Sequence, residues 1–176
     1  MVDELTVIAS SYHRNGYSFP VDAMSPEQAL AYRRQFEAAE REYKDKDPDF
    51  DALVFGHANM VMPFIDEITR LPTVLDPVRA ILGPDVMVWG ANLFIKEARS
   101  NGYVSWHQDL TYWDLDDVDE VTAWVALSPA TVQSGCMRYV PRTHIQEIAV
   151  HRDTFAENNQ LSRGQELIVD VNEAEA

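Results

Sequence analysis

Residues 85–97, DVMVWGANLFIKE, mark the point at which this chain changes character. Branched and aromatic side chains crowd the segment with partial alternation, the pattern of a strand packed against a core. The residues before it read as helix. Ser25 is placed to cap a helix over 26–44, with Pro26 at its first position and Gln28 closing a capping box. Tyr32, Phe36, Ala39 and Tyr43 then recur at helical spacing until the charged turn KDKDPD at 44–49. A second helical stretch covers 57–69. A third follows Pro72, where Val74, Val78, Ile81 and Leu82 make one apolar face before the Gly83-Pro84 stop.

The residues after 97 return to strand-like composition three times, in EVTAWVALS (120–128), GCMRYVP (135–141) and QELIVDV (165–171). Turn signals at Ser100-Asn101-Gly102 and Ser134-Gly135 separate them. Helices first and strands later predict an α+β fold with an antiparallel sheet or barrel. At 176 residues and 46% hydrophobic composition, the length argues for one domain with one substantial core. Residues 1–83 form its mainly helical layer and 84–176 its strands.

Twenty-nine acidic residues against fourteen basic ones give a net charge of −15. That field opposes association with phosphate backbones and anionic lipid surfaces, so neither nucleic acid nor membrane is an expected partner. The single cysteine, Cys136, can form no internal disulfide. The opening MVDELTVIAS has neither a basic region nor a long apolar run, and a cytoplasmic location is the expectation.

Chemistry concentrates in VSWHQDLTYW, Val104–Trp113. In a strand, residues i and i+2 project to the same face, so His107 and Asp109 can reach one ion while Gln108 turns away or along the rim. An imidazole nitrogen and a carboxylate oxygen are two-thirds of the two-histidine, one-carboxylate facial triad, which leaves one face of the metal open. The same two residues also read as a histidine bonded to a backbone carbonyl and an aspartate capping a turn.

The wider run FIKEARSNGYVSWHQDLTYWDLDDVDEVTAWVALSPATVQSGCMRYVPRTH, residues 94–144, resembles the phytanoyl-CoA dioxygenase family of iron(II)- and 2-oxoglutarate-dependent oxygenases. The matching features are the W-H-Q-D block, the aromatic pair after it, the A-W of the next strand and the G-C-M-x-x-V-P-x-x-H turn. Weaker similarity extends back through LPTVLDPVRAILGP and HRNGYSFP. The resemblance implies a double-stranded β-helix, a cupin-like jelly-roll barrel with the N-terminal helices packed on one side.

It also implies iron(II) held by His107 and Asp109, with 2-oxoglutarate and O2 as cosubstrates and a small molecule hydroxylated as 2-oxoglutarate is decarboxylated to succinate. Gln108, Trp124, Asn92 and His57 match positions that line or face the cosubstrate in family members, although Asn92 and His57 do not keep the usual residue type. Trp124 reads equally well as core. Related halogenases carry a small residue in place of the carboxylate, so Asp109 argues for hydroxylation.

The family needs a second metal histidine and, about ten residues later, an arginine or lysine for the distal carboxylate of 2-oxoglutarate. Both are expected beyond Ala176, which makes the chain an oxygenase lacking its last strands. If the reading frame ends there, His144 in the VPRTH turn is the best remaining third ligand, and a non-catalytic jelly-roll binding module becomes the competing function. His151 reads as an exposed loop residue. Tyr112 and Trp113 could wall a pocket, while Lys96, Arg99, Arg138 and Arg142 could attract an anionic substrate or pair with Asp114, Asp116 and Asp117.

Overall fold

Ser25 sits at the start of its helix in extended conformation (φ −70°, ψ 157°) and accepts a hydrogen bond from the Gln28 amide. The Gln28 side chain returns one from the Ser25 amide, closing the capping box that the sequence calls for. The structure, a computed structural model, describes residues 3–113 and 119–176. Its helices are α1 (Glu4–Asn15), α2 (Pro26–Tyr43), α3 (Phe50–Gly56), α4 (Ala58–Val61), α5 (Pro63–Arg70) and α6 (Pro72–Leu82).

The helical stretch expected over 57–69 is two helices. Pro63 has no amide hydrogen to continue the ladder and disfavours helical geometry at Met62, which lies at φ −120°, ψ 104°. Neither α1 nor α3 is among the helices expected from the sequence. Asp3 caps α1, its carboxylate accepting from the Thr6 amide at 2.9 Å and the Thr6 hydroxyl at 2.8 Å.

The chain forms two compact units. The first comprises Met1–His13, Ser18–Phe94 and Val121–Met137. Its core is Tyr32 and Phe36 of α2, Phe50 and Val54 of α3, Ala58 of α4, and Met62, Phe64, Ile65 and Ile68 at and within α5. Tyr32 and Phe64 stack with centroids 6.4 Å apart. Each fully buried large side chain stabilises by about 1.5–3 kcal/mol.

Two later segments pack on this core through alternate residues. Ala91 and Leu93 face it while Asn92 is exposed; Val125 and Leu127 face it while Trp124 is exposed. The alternation expected of strands is therefore present, but the backbone of 91–93 is bonded to helices instead of to another strand. The Ala58 amide donates to the Ala91 carbonyl at 3.1 Å, and the Leu93 amide to the Val54 carbonyl at 3.2 Å. Asn59 Oδ1 takes the Ala91 amide at 3.1 Å. Gly90 permits this approach, because a Cβ there would stand 3.2 Å from the Gly56 carbonyl oxygen.

The second unit comprises Arg14–Tyr17, Ile95–Glu120 and Arg138–Ala176. Among the described residues, regular strand pairing is confined to it: β1 (His151–Asp153) runs antiparallel to β2 (Gln165–Leu167), with His151 opposite Leu167 and Asp153 opposite Gln165. Of the expected strand 165–171, only the first three residues join this ladder. Leu161 is its buried hydrophobic residue, and the most enclosed side chain is a polar one, Gln165, 1% exposed. Among the described residues, no helix in the chain is long and apolar enough to cross a membrane.

Candidate metal centre

In the second unit, Ser105, Trp106 and Gln108 are fastened to parts of the chain about 40 to 60 positions later. The Ser105 hydroxyl donates to the Gln165 carbonyl and accepts from Asn159 Nδ2 at 2.8 Å. The Trp106 carbonyl takes the Leu167 amide at 3.3 Å. Gln108 donates its amide to His151 Nε2 at 3.0 Å, and its side-chain oxygen accepts from the Ala149 amide at 2.8 Å. These bonds hold the backbone that carries both expected ligands.

His107 Nδ1 lies 2.8 Å from the Ser105 carbonyl oxygen, so this nitrogen carries the hydrogen and Nε2 is turned the other way. Nε2 stands 3.1 Å from Asp109 Oδ1. Two donors about 2.1 Å from one ion, at adjacent octahedral corners, are about 3.0 Å apart. The pair's separation fits both a direct histidine–aspartate hydrogen bond and two ligands on one ion, and its nitrogen and carboxylate oxygen suit iron(II).

The electrostatics agree. Burial acts to lower the His107 pKa, but the hydrogen bond to Asp109, the Ser105 carbonyl and the Asp109 charge together outweigh it, and the pKa lies above its ordinary value. Without metal, a proton is favoured where the metal would bind.

His107 is bonded to a backbone carbonyl, as one reading of the pair has it, and that bond turns Nε2 toward Asp109. What differs is the backbone: Gln108 is extended (φ −120°, ψ 130°), whereas Asp109 begins a 3-10 turn, Asp109–Tyr112. The Thr111 amide closes that turn on the Gln108 carbonyl at 3.3 Å. The two donors meet at a junction of extended chain and turn, not along one strand face.

Tyr112 ends the turn with its ring edge-on to His107, centroids 5.8 Å apart. Its hydroxyl is buried and finds no hydrogen-bond partner among the described residues. Burial first, then the negative charges of Asp109 and Asp153 against the opposing Arg163, push its pKa to about 12. It is therefore a neutral donor in reserve.

Trp106 lies beside the pair. Its indole N–H donates to Glu173 Oε1 at 3.2 Å, and the Arg138 guanidinium sits over its ring at 5.6 Å while binding Glu173 Oε2 at 2.8 Å. The Trp106 and Arg138 hydrogen bonds hold the Glu173 carboxyl below its usual pKa. Arg138 is thus paired with Glu173; its suggested partners Asp114, Asp116 and Asp117 lie outside the described residues. A groove of about 440 Å³, lined by Tyr103, Ser105, Trp106, Leu167 and Val169 among others, opens on this side.

The remaining candidates fall elsewhere. Trp124, Asn92 and His57 belong to the first unit: Trp124 and Asn92 on faces turned away from its core, His57 exposed between α3 and α4. His144, exposed in a 3-10 turn, packs on Gly16, whose φ of 87° and lack of a side chain admit the ring; a Cβ there would lie 2.6 Å from Nδ1. His151 is not the loop residue the sequence suggested. It opens β1 half-buried and binds the motif backbone, because its ring has an amide donor to accept from. Among the described residues, no group of three histidine, cysteine, aspartate or glutamate side chains converges on one point.

A half-buried histidine, its tautomer set by a backbone carbonyl, and a neighbouring carboxylate 3.1 Å away make up the candidate site. The phytanoyl-CoA dioxygenase family model matches residues 12–174, and the chain belongs to that family. It is also 26% identical over 89 residues to a probable alpha-ketoglutarate-dependent hypophosphite dioxygenase of Stutzerimonas stutzeri. That alignment covers 51% of this chain and 31% of the relative, so the chain spans about a third of the relative's length. No solved structure gives a significant match.

Proposed function

We propose that the protein is an iron(II)- and 2-oxoglutarate-dependent hydroxylase of a small molecule. The observation that carries this is the 3.1 Å separation of His107 Nε2 and Asp109 Oδ1, with Nδ1 committed to the Ser105 carbonyl. In this reading His107 and Asp109 would hold the iron together with one further ligand. Bound iron(II), with 2-oxoglutarate and O2, would supply the oxidising power, and the carbon lost from 2-oxoglutarate leaves as carbon dioxide with succinate as coproduct.

The chain's own contributions are orientation and charge. Ser105 keeps His107 in the tautomer that presents Nε2. Asp109 supplies an anionic oxygen, which supports hydroxylation over halide transfer. Tyr112, neutral up to about pH 12 and without a partner among the described residues, can donate a hydrogen bond to an oxygen of a bound anion. The alpha-ketoglutarate dependence of the Stutzerimonas stutzeri relative supports the same cosubstrate here.

For the fold we propose the jelly-roll barrel of the family. Its support is the in-and-out alternation at Ala91, Asn92 and Leu93 and at Trp124, Val125 and Leu127, which fits strands with one face on the helical layer. Trp124 and Asn92, which match cosubstrate-facing positions of the family, are exposed on the other face of these two segments. One cysteine suits a cytoplasmic setting.

The test is an anaerobic titration of the purified protein with iron(II) and 2-oxoglutarate, watched for a visible metal-to-ligand charge-transfer band. The reading requires the band in the native protein and its loss in His107→Ala. A protein that develops no band, or keeps it after that substitution, is not this enzyme.

A further inference from the structure

We infer that His151 is a positioning residue for the ligand pair, acting through the backbone of Gln108, the residue between His107 and Asp109. The inference rests on the proposed metal site and names what sets its geometry.

His151 Nδ1 lies 2.8 Å from the Ala149 carbonyl oxygen, which fixes the hydrogen on that nitrogen and leaves Nε2 as an acceptor. Nε2 takes the Gln108 amide at 3.0 Å. The Gln108 side chain completes the loop by accepting the Ala149 amide at 2.8 Å. Two hydrogen bonds thus lock Gln108 to the chain entering β1, one from its backbone and one from its side chain, and a third ties His151 to Ala149. His151 is itself held in register, opposite Leu167 in the β1–β2 ladder, and the Leu167 amide binds the Trp106 carbonyl.

A second route reaches the same ligand. The Tyr112 ring stands edge-on to His151, centroids 6.5 Å apart, and edge-on to His107 at 5.8 Å. Rotation of His107 is therefore resisted by the Ser105 carbonyl on one side and by a ring braced against His151 on the other. The spacing of Nε2 and Oδ1 depends on the torsions of residues 107 to 109, and the middle one is clamped. Partners that orient metal ligands typically change metal affinity by about 10–100-fold when removed.

Three variants separate the contributions. His151→Phe keeps a ring against Tyr112 and loses both hydrogen bonds. His151→Gln loses the ring but has an amide oxygen for Gln108 and an N–H for Ala149. His107→Ala removes the ligand itself.

Cobalt(II), whose visible absorption reports coordination directly, is titrated into each purified protein. Amide exchange of Gln108 and the thermal midpoint are measured on the metal-free samples. The expected result is a cobalt affinity about 10–100-fold weaker in His151→Phe, with a fast-exchanging Gln108 amide and a thermal midpoint near that of the native protein. His151→Gln restores affinity and amide protection.

Equal cobalt affinity in native protein and His151→Phe overturns the inference and leaves the metal reading standing. So does a loss shared equally by His151→Gln that accompanies a fall in thermal midpoint, since that is support of the fold alone. Native protein that takes up no more cobalt than His107→Ala removes the metal reading and this inference together.

Discussion

The two units are stabilised by different means. The first is an apolar core in which Tyr32, Phe36, Val54, Ile65 and Ile68 are each less than 9% exposed. The second has Leu161 as its buried hydrophobic residue, and its most buried side chain is Gln165. It is held by a polar network through Ser105, Gln108, His151, Asn159 and Gln165, and the ligand pair sits inside it. Apolar packing tolerates small displacements, because it has no preferred direction. Hydrogen bonds are directional, which suits a segment whose task is to hold two donor atoms at one distance.

The contrast predicts a graded series of losses. The largest belongs to the apolar core: Phe36→Ala should cost about 3–5 kcal/mol through lost transfer free energy and the cavity left behind. Urea unfolding measures it, and a loss under about 1 kcal/mol would mean that this core is not the main support of its unit. Next comes Ser105→Ala, which strips Asn159 Nδ2 and the Gln165 carbonyl of a partner. It should cost about 1–3 kcal/mol, and it should weaken cobalt(II) binding more than Phe36→Ala does.

A smaller effect is expected from acid. The Glu173 pKa is depressed in the folded protein, so its contribution is present above the unfolded value and disappears as pH falls through the folded one. Tryptophan fluorescence should record the loss of the Trp106 and Arg138 contacts on that acid limb, and Glu173→Gln should flatten the response. Smallest is Arg33→Ala, which breaks an exposed i,i+4 pair with Glu37 and should shift stability by no more than about 0.5 kcal/mol. A larger shift would show that surface charge matters more in this acidic chain than its geometry indicates.

The range of each interaction decides whether the sequence displays it. Helix α2 was legible because its cap, first-turn proline and apolar spacing all lie within about twenty residues of one another. The break at Met62 had a local signal in Pro63 that the overall periodicity masked. Helix α1 did carry a local signal, with Asp3 as a usable cap and Leu5, Ile8, Ala9 and Tyr12 at helical spacing, but over only about two turns. The meeting of His107 and Asp109 was legible because side chains two residues apart need only local geometry. His151 was not, because its partner is a backbone amide 43 residues away, and backbone groups leave no mark on a sequence. The strand-like segment 85–97 showed its alternation, yet which backbone it bonds depends on helices α3 and α4, more than thirty residues earlier.

The clamp on residues 105–108 also bears on when the site can come into being. The buried residues of the helical core all lie between Tyr32 and Ile68, so short loops suffice to assemble it. The ligand segment must wait for partners 43 to 60 positions later, at His151, Asn159 and Gln165. Contacts of that separation form slowly, and during synthesis they cannot form until the later residues have been made. His107 and Asp109, the proposed metal donors near the middle of the chain, are thus aligned only after the ribosome has passed residue 165.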